Sequence, residues 1–498
     1  MNILLLSMPD AFEHTPTLTM RMPNGALASL AGNLDPGHDV AIADLVLARH
    51  DVPGTVARLL DDCRPDLVGL SVMTFQRATA RRIIALVRRL RPRARVVVGG
   101  YDPSLAPEAW ATPDSGVDVV VRGEGDLTFR ELVRAADEGR LPDDVPGLWY
   151  RSPDGFVRTP DRPVSGLDQA VRPPNRAARV LDGYTFLGRP IDIVETSRGC
   201  TYDCSFCSII EMRGRNFHTW PVDRVTADIA DAKRRGARTI FLVDDNVTLN
   251  VARFHAICDA IVAAGLDDLD YIVQGMTSAF VKDGDALAAA MARAGFRYVF
   301  LGIENVLDED LAFLRADAKN AAREQGRRTG SATQLAVDVI HRHGMFVVGG
   351  LIVGNPDDTR ESIEANLAFA RRHVDWPYIQ HPTPYPGTPM TRDFRDRDLI
   401  VSDDVSEYDG TTAVVRTTHL EAEEVEFLRW RAERWMKVRH LPPVLAHDPG
   451  FVMTHGLRML RHTFRGSSWK TWIGLEPERE AFRRYKAIRR RERECFES

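Results

Sequence analysis

The sequence predicts an α/β chain in three parts: an N-terminal doubly wound, Rossmann-like domain over 1–165, a partial (β/α)6 barrel over 191–400 after a linker at 166–190, and a helical C-terminal domain over 401–498. Three observations predict it. In the first part, short apolar runs rich in branched residues alternate with stretches of helical period. The same alternation begins again at Ile191 and passes through six strand-like segments. Beyond about residue 400 it stops, and tryptophans and basic residues take over. With 498 residues and 44% hydrophobic content, the chain exceeds what one core supports, so two or three domains are expected.

In the first part, the runs 3–7, 40–43, 67–72, 96–98 and 117–121 read as strands, with 26–34 and 78–90 as helices between them. Continuous apolar strands of this kind form a parallel sheet covered on both faces. Such sheets bind ligands outside the carboxyl ends of their strands. Those ends carry Ser71-Val-Met-Thr74 with Phe75, then Gly99-Gly100, then Gly123-Glu124-Gly125. Missing side chains let backbone approach a large ligand; a tight turn asks for the same glycines, so these residues fit a nucleotide site or a structural module equally.

The second part opens on a sharper signal. Gly199-Cys-Thr-Tyr-Asp-Cys-Ser-Phe-Cys207 spaces three thiols as CxxxCxxC, enough for three corners of a four-iron four-sulfur cluster. The fourth iron then has no protein ligand and can bind a small molecule and pass it an electron. The alternative is three buried or zinc-binding thiols, but a structural zinc site closes with four ligands, and no second CxxC pair exists here. The run resembles the signature of the radical S-adenosylmethionine (SAM) superfamily, whose open iron chelates SAM.

That resemblance extends along the barrel, with strands expected at 191–195, 239–243, 271–274, 298–302, 346–353 and 378–381. It implies Cys200, Cys204 and Cys207 as cluster ligands and Phe206 as the residue against adenine, where the residue alone fits packing of the loop. It implies Asp244 and Asp245 as contacts to the amino group or ribose of SAM, although Asp-Asp-Asn246 also suits a helix cap. Glu304, in Gly302-Ile-Glu-Asn305, is implied to contact ribose. Gly350-Leu-Ile-Val-Gly354 matches the family's GxIxG element and brings Gly350, Ile352 and Gly354 to the adenine. Gln380, Thr383 and Tyr385, in the proline-restricted run after the sixth strand, are substrate-site candidates, with Tyr385 and Gln380 the catalytic ones. Lys319, Arg323, Arg327 and Arg328 read as a solvated helix face or a meeting point for an anionic substrate.

In the first part, Pro65-Asp-Leu-Val-Gly-Leu-Ser71, Val97-Val-Gly-Gly-Tyr-Asp-Pro-Ser104 and Val121-Arg-Gly-Glu-Gly125 resemble the cobalamin-binding domain fused ahead of many radical SAM enzymes. The resemblance covers about the first 165 residues. It implies Ser71, Met73, Thr74, Phe75, Gly99, Gly100, Gly123 and Glu124 as cobalamin contacts, with the 73–76 loop against the lower face of the corrin. The Asp-x-His-x-x-Gly motif, whose histidine ligates cobalt in mutases and methionine synthase, is absent. Asp10 and His14 stand at the wrong separation, so His14 is expected to be a loop histidine.

From Arg429 to Ser498 the chain carries 17 Lys plus Arg against 8 Asp plus Glu, although the whole chain is at −5. The stretch 451–472 fits an anionic membrane surface, as peripheral association, or a helical cap with its aromatics on the barrel. No recognised module makes nucleic acid a partner. Cys63, Cys258 and Cys495 are scattered thiols of a reducing compartment, and no apolar run reaches membrane-spanning length, so a cytoplasmic protein is expected.

The two resemblances together imply three cofactors: a four-iron four-sulfur cluster, SAM and cobalamin. They imply reductive cleavage of SAM to a deoxyadenosyl radical and methylation of an unactivated carbon of a small-molecule or lipid substrate through methylcobalamin. An external one-electron donor such as flavodoxin or ferredoxin is implied with them. Tyr408-Asp-Gly410 and Arg416-Thr-Thr-His419 also resemble the anaerobic magnesium-protoporphyrin cyclase group, which keeps a cyclase or oxidase open as an alternative. A cobalamin- or cluster-binding sensor without turnover is the alternative of another class.

Overall fold

The computed structural model describes residues 1–498 apart from 14–15, 165–169, 283, 325–326, 440 and 495–498, with backbone alone at 282, 321–324, 327–331, 441 and 493–494. The expected α/β architecture is present. Strands β1 (Asn2–Ser7), β2 (Asp39–Asp44), β3 (Leu67–Ser71), β4 (Arg95–Gly99), β5 (Val119–Val121), β6 (Leu148–Ser152) and β7 (Gly155–Arg158) form one sheet in the order β2-β1-β3-β4-β5-β6-β7. The first five run parallel, and β6 and β7 close the edge as an antiparallel hairpin. The chain reverses direction across the sheet between β1 and β3, and the crevice above such a switch point is where open α/β sheets take ligands. Helices α1 (Gly25–Asn33) and α2 (Gly125–Asp137) pack side by side on one face.

Strands β8 (Arg189–Val194), β9 (Thr239–Leu242), β10 (Asp270–Met276), β11 (Phe296–Glu304), β12 (Phe346–Ile352) and β13 (Trp376–Gln380) follow in sequential parallel order. This is the six-stranded partial barrel. Two antiparallel pieces, Thr185–Phe186 and Met20–Arg21, extend it beyond β8, and the second is contributed by the first domain. The cysteine loop follows β8 and enters the short helix α3 (Ser208–Arg213). The stretch expected as a linker is packed rather than free. Arg176 is buried and pairs with Asp192 at 3.1 Å, and Arg179 pairs with the same carboxylate at 2.8 Å.

The C-terminal part is helical: α4 (Ala422–Arg439), α5 (Pro449–Thr463), α6 (Trp469–Trp472) and α7 (Glu478–Glu494). Phe427 and Trp430 of α4 bury against Ala481, Phe482 and Tyr485 of α7. Not all of the basic surplus faces water. Arg489 is buried, pairs with Asp409 and donates to Thr411 Oγ1 at 2.6 Å. Glu13, from the loop after β1, accepts from Arg465 at 2.5 and 2.6 Å and from the Tyr485 hydroxyl at 3.2 Å, and lies 3.9 Å from Arg489. Burial would raise the Glu13 carboxyl, but Arg489 and Arg465 overcome it and hold it at about 2.

Candidate active site

A cavity of about 420 Å³ lies where the carboxyl ends of the two sheets face each other. Its inner end runs between α1 and α2 over Leu5, Gly69 and Val97. Its rim on the first-domain side is formed by Ser71, Met73, Gly99, Gly100, Gly123 and Glu124. Gly100 has φ +103, and a Cβ there would stand 2.9 Å from Val72 O, so this turn admits glycine alone. The Ser71 hydroxyl accepts from Asn24 Nδ2 at 3.2 Å, which fixes the start of α1 against the rim. Thr74 and Phe75, expected at the same rim, do not line the cavity. Phe75 packs on Phe12 in a tilted arrangement with centroids 4.7 Å apart, and Gln76 ties the loop to the Asp10 carbonyl at 3.0 Å.

The barrel side of the cavity is formed by Ile193, Glu195, Arg198, Met212, Arg213 and Trp220. Arg198, two residues before the first cysteine, bonds Asp126 of α2 at 2.6 Å and Glu195 at 2.7 Å, which locks the two domains together beside the cavity. Burial raises the Glu195 carboxyl even so. Glu124 Oε1 and Arg213 Nε are buried without a hydrogen-bond partner, and both residues line the cavity wall. No histidine lines the cavity among the described residues, and His14 itself lies outside them.

The cysteine loop is held by the acids at the end of β9. Asp244 is 1% exposed and accepts from Thr196 N at 2.6 Å and from the hydroxyls of Thr196 and Ser197 at 2.5 Å each. Burial raises its carboxyl, and the Ser197 and Thr196 bonds offset that in part. Asp245 accepts from Gly199 N at 2.7 Å and pairs with Arg213 at 3.1 Å. Both acids, expected as direct contacts to SAM, are thus engaged in tethering the loop. Asn246 Nδ2 donates to Cys200 Sγ at 3.8 Å, and Ser205 N donates to Leu314 O at 3.0 Å, which pins the middle of the run. Cys204 is buried, and burial pushes the Cys207 thiol up to about 12. Among the described residues, no three His, Cys, Asp or Glu side chains are gathered tightly enough for a single ion; a four-iron cluster is a larger body and holds its thiolates further apart.

Beside this loop, Glu304 ends β11 in a left-handed conformation, φ +61, where the register with β12 shifts. Non-glycine backbone held there is strained and persists where surrounding structure demands it. Its carboxylate pairs with Lys319, whose ammonium stands 5.5 Å from the Phe206 ring centroid. Burial alone would lower the Lys319 pKa; Glu304 and the Cys204 sulfur raise it above normal instead. Lys319 is therefore no solvated cation, whereas the side chains of Arg323, Arg327 and Arg328 lie outside the described residues. Sequence reading missed this pair, because the short helices Asp308–Phe313 and Asp317–Asn320 bring Lys319 back to Glu304 without a periodic signal. Ile352 belongs to an apolar cluster against which Phe206 and Tyr385 pack.

Gly350 of β12 and Gly354 just after it serve packing here. A Cβ at Gly350 would meet the Phe300 ring at 3.0 Å, so protein fills the space expected to open for adenine. Gly354 has φ +100, and a Cβ there would meet Val425 of α4 at 2.8 Å. Gln380 packs over Gly410, and the Tyr385 hydroxyl donates to Tyr408 O at 3.2 Å. Neither lines the interdomain cavity, so the structure does not bring the two catalytic candidates to it.

Family models match in two places: a B12 binding domain over residues 17–133 and the radical SAM superfamily over residues 194–370. The chain joins a B12-binding domain to a radical SAM domain. The chain is 29% identical over 474 residues to an uncharacterised methyltransferase of Pyrococcus horikoshii, covering 93% of this chain and 99% of that one. It is 24% identical over 482 residues to the anaerobic magnesium-protoporphyrin IX monomethyl ester cyclase of Synechocystis, covering 95% and 91%. Its fold is similar to that of the radical SAM methyltransferase TsrM of Kitasatospora setae, a structure with cobalamin and an iron–sulfur cluster bound. The TM-score is 0.65 at 23% identity, over 80% of this chain and 78% of that one.

The residues present fit the groups these domains imply. In the B12-binding domain, a space of about 420 Å³ opens above the switch point, walled by glycine backbone and by Glu124 and Arg213, whose Oε1 and Nε stand 3.9 Å apart without a hydrogen bond and have capacity left for the amides of a corrin rim. In the radical SAM domain, the donor set is three sulfurs on one tethered loop, the number that leaves one iron of a four-iron cluster open.

Proposed function

We propose that this protein is a cobalamin-dependent radical SAM methyltransferase that methylates an unactivated carbon of a small-molecule or lipid substrate, with electrons from an external donor such as flavodoxin or ferredoxin. The observation that carries this reading is a cavity of about 420 Å³ lined by both domains: the strand ends of the B12-binding sheet form one wall, and Glu195, Arg198 and Arg213, which flank the cysteine loop, form the other. When bound, the cluster with SAM supplies a one-electron source and cobalamin a methyl carrier. The chain's own residues fix the geometry. Asp244 and Asp245 hold the cysteine loop, Arg198 and Asp126 hold the domains in register, and Ser71, Met73, Gly99, Gly100, Gly123 and Glu124 receive the corrin. Cys200, Cys204 and Cys207 take the cluster, with Phe206, Glu304 and Lys319 beside the SAM site.

Anaerobic reconstitution with methyl-labelled SAM and a substrate panel tests the reading. Transfer of the label into a product supports it; SAM cleavage with an oxidised or cyclised product that holds no label overturns it. The second outcome is the alternative favoured by the 24% identity to a cyclase along nearly the whole chain.

A further inference from the structure

Residues 449–475 contain no Asp or Glu, but do contain Arg458, Arg461, Arg465 and Lys470. Arg465 is engaged by Glu13 and Glu492. Arg458, Arg461 and Lys470 are exposed and make no ion pair among the described residues. The same segment exposes large apolar side chains. Met453 and Leu457, one turn apart on α5, are each 85% exposed, and Leu460 continues their stripe. Trp469 and Trp472 on α6, with Ile473 and Leu475 after it, are 58–68% exposed. The opposite face of α5 is buried through Phe451 and Gly456, so the helix is anchored and its apolar stripe is left outward. Phe464, at its end, contacts Trp435 and Trp472 with centroids 5.5 and 5.2 Å apart, which joins α4, α5 and α6 into one surface.

Clustered exposed aliphatics and tryptophans mark an interaction surface. Its chemistry selects the occupant. Three unpaired cations on each copy oppose self-association through this face, and the apolar groups protrude instead of lining a groove. The adjacent cavity, at Met459 and Leu460, measures only about 30 Å³. Protruding aliphatics, interfacial tryptophans and interspersed Arg and Lys are the features with which an amphipathic segment enters a headgroup layer. No helix among the described residues is long and apolar enough to cross a bilayer.

We propose that the face of α5 and α6 docks on an anionic phospholipid surface, with Met453, Leu457, Trp469, Trp472 and Ile473 in the interfacial layer and Arg458, Arg461 and Lys470 against headgroup phosphates. It does not rest on the methyl-transfer reading, since no residue of this face lines the interdomain cavity.

Flotation of the full chain with phosphatidylcholine vesicles, with and without phosphatidylglycerol, tests it. The expected result is flotation with the anionic vesicles at low salt, weakening as ionic strength passes physiological values, where exposed charges are screened over about 8 Å. Leu457→Ser with Trp472→Ser lowers the bound fraction by about tenfold or more, and Arg458→Glu with Arg461→Glu abolishes the preference for anionic vesicles. These exposed positions leave the far-ultraviolet circular dichroism unchanged. Absence of flotation at low salt, equal flotation with both vesicle types, or native flotation of the variants overturns the proposal. So does lipid-free self-association in sedimentation velocity that the same substitutions remove, which would make the face an interface between copies.

Discussion

On the B12-binding side of the interdomain cavity, the strand ends present glycines and an open space of about 420 Å³. In the radical SAM domain, outside the lining of that cavity, the ends of β9 and β11 present acids that are already engaged: Asp244 with Thr196 and Ser197, Asp245 with Gly199 and Arg213, Glu304 with Lys319. The first site is prepared by omission, since leaving out side chains makes room in advance. The second is prepared by tethering, in which buried charges and hydrogen bonds hold a loop whose sulfurs do the binding. A site of the first kind fails when it is filled, and one of the second kind fails when a tether is cut.

The largest effect expected from this contrast is at the cysteines. Cys204→Ala lowers deoxyadenosine formation by about a hundredfold or more, with loss of cluster iron, because one of three ligands is gone. Cobalamin uptake, measured by the corrin absorbance retained after gel filtration, stays native. Loss of both cofactors together would break the separation of the two sites.

Filling the open site comes next. Gly99 has ordinary backbone dihedrals, and a Cβ there meets only Val121 at 3.6 Å, so Gly99→Leu is compatible with the fold and sends its side chain into the cavity. Cobalamin affinity falls by about tenfold or more while iron content is kept. Equal cobalamin binding by the variant would place the cofactor elsewhere.

Cutting a tether is the sharper test. Asp244→Ala leaves Thr196 N–H and two hydroxyls without an acceptor, at about 1–3 kcal/mol for each buried group. The variant reconstitutes with reduced iron and unfolds at a lower temperature. Native iron with weakened SAM binding, read by equilibrium dialysis, would instead return Asp244 to the role of direct ligand.

The smallest effect concerns pH. Behind the β12 turn, Asp358 accepts from Gly354 N at 2.7 Å and Asn355 N at 2.8 Å, and Asp310 lies against it. Burial first, and the Asp358 charge second, push the Asp310 carboxyl up to about 7 from an unfolded value of 3.8. Between those values the folded chain holds a proton that the unfolded chain has released, so the pair's contribution to stability falls as pH rises from about 4 to about 7. Asp310→Asn lacks that dependence, and its melting temperature relative to the native chain rises across this window. Parallel melting curves would remove the protonated pair.

Much of this contrast was legible in the sequence, for physical reasons. Glycine at a strand end and cysteine at fixed spacing act through local backbone and local chemistry, so Gly99-Gly100 and CxxxCxxC speak for themselves. The six parallel strands of the barrel were likewise legible, because each carries a short run dominated by branched and aromatic side chains, even where Asp192 or Arg297 interrupts it. The roles of Asp244 and Gly350 were not, since an acid that tethers a loop and an acid that meets a ligand look alike before Thr196 and Ser197 are brought to it. Lys319 was hidden for the same reason, as was Arg489, whose partners Asp409 and Glu13 are remote in the chain.

Glu13 gives the chain an unusual order of completion. Domains emerging from a ribosome generally fold in the order of synthesis, and the first domain holds most of its strands within its first 121 residues. Yet the loop that carries Glu13, and sets Phe12 against Phe75 near the cavity rim, has its counter-charges on Arg465 and Arg489. Until those last helices are made, a carboxylate destined for burial has no cation to meet and stays in water, while its loop is held by first-domain contacts through Phe12 and Asp10. The earliest strand is thus among the first structures to form, while the Glu13 carboxylate in the loop it leads into is among the last groups to be buried.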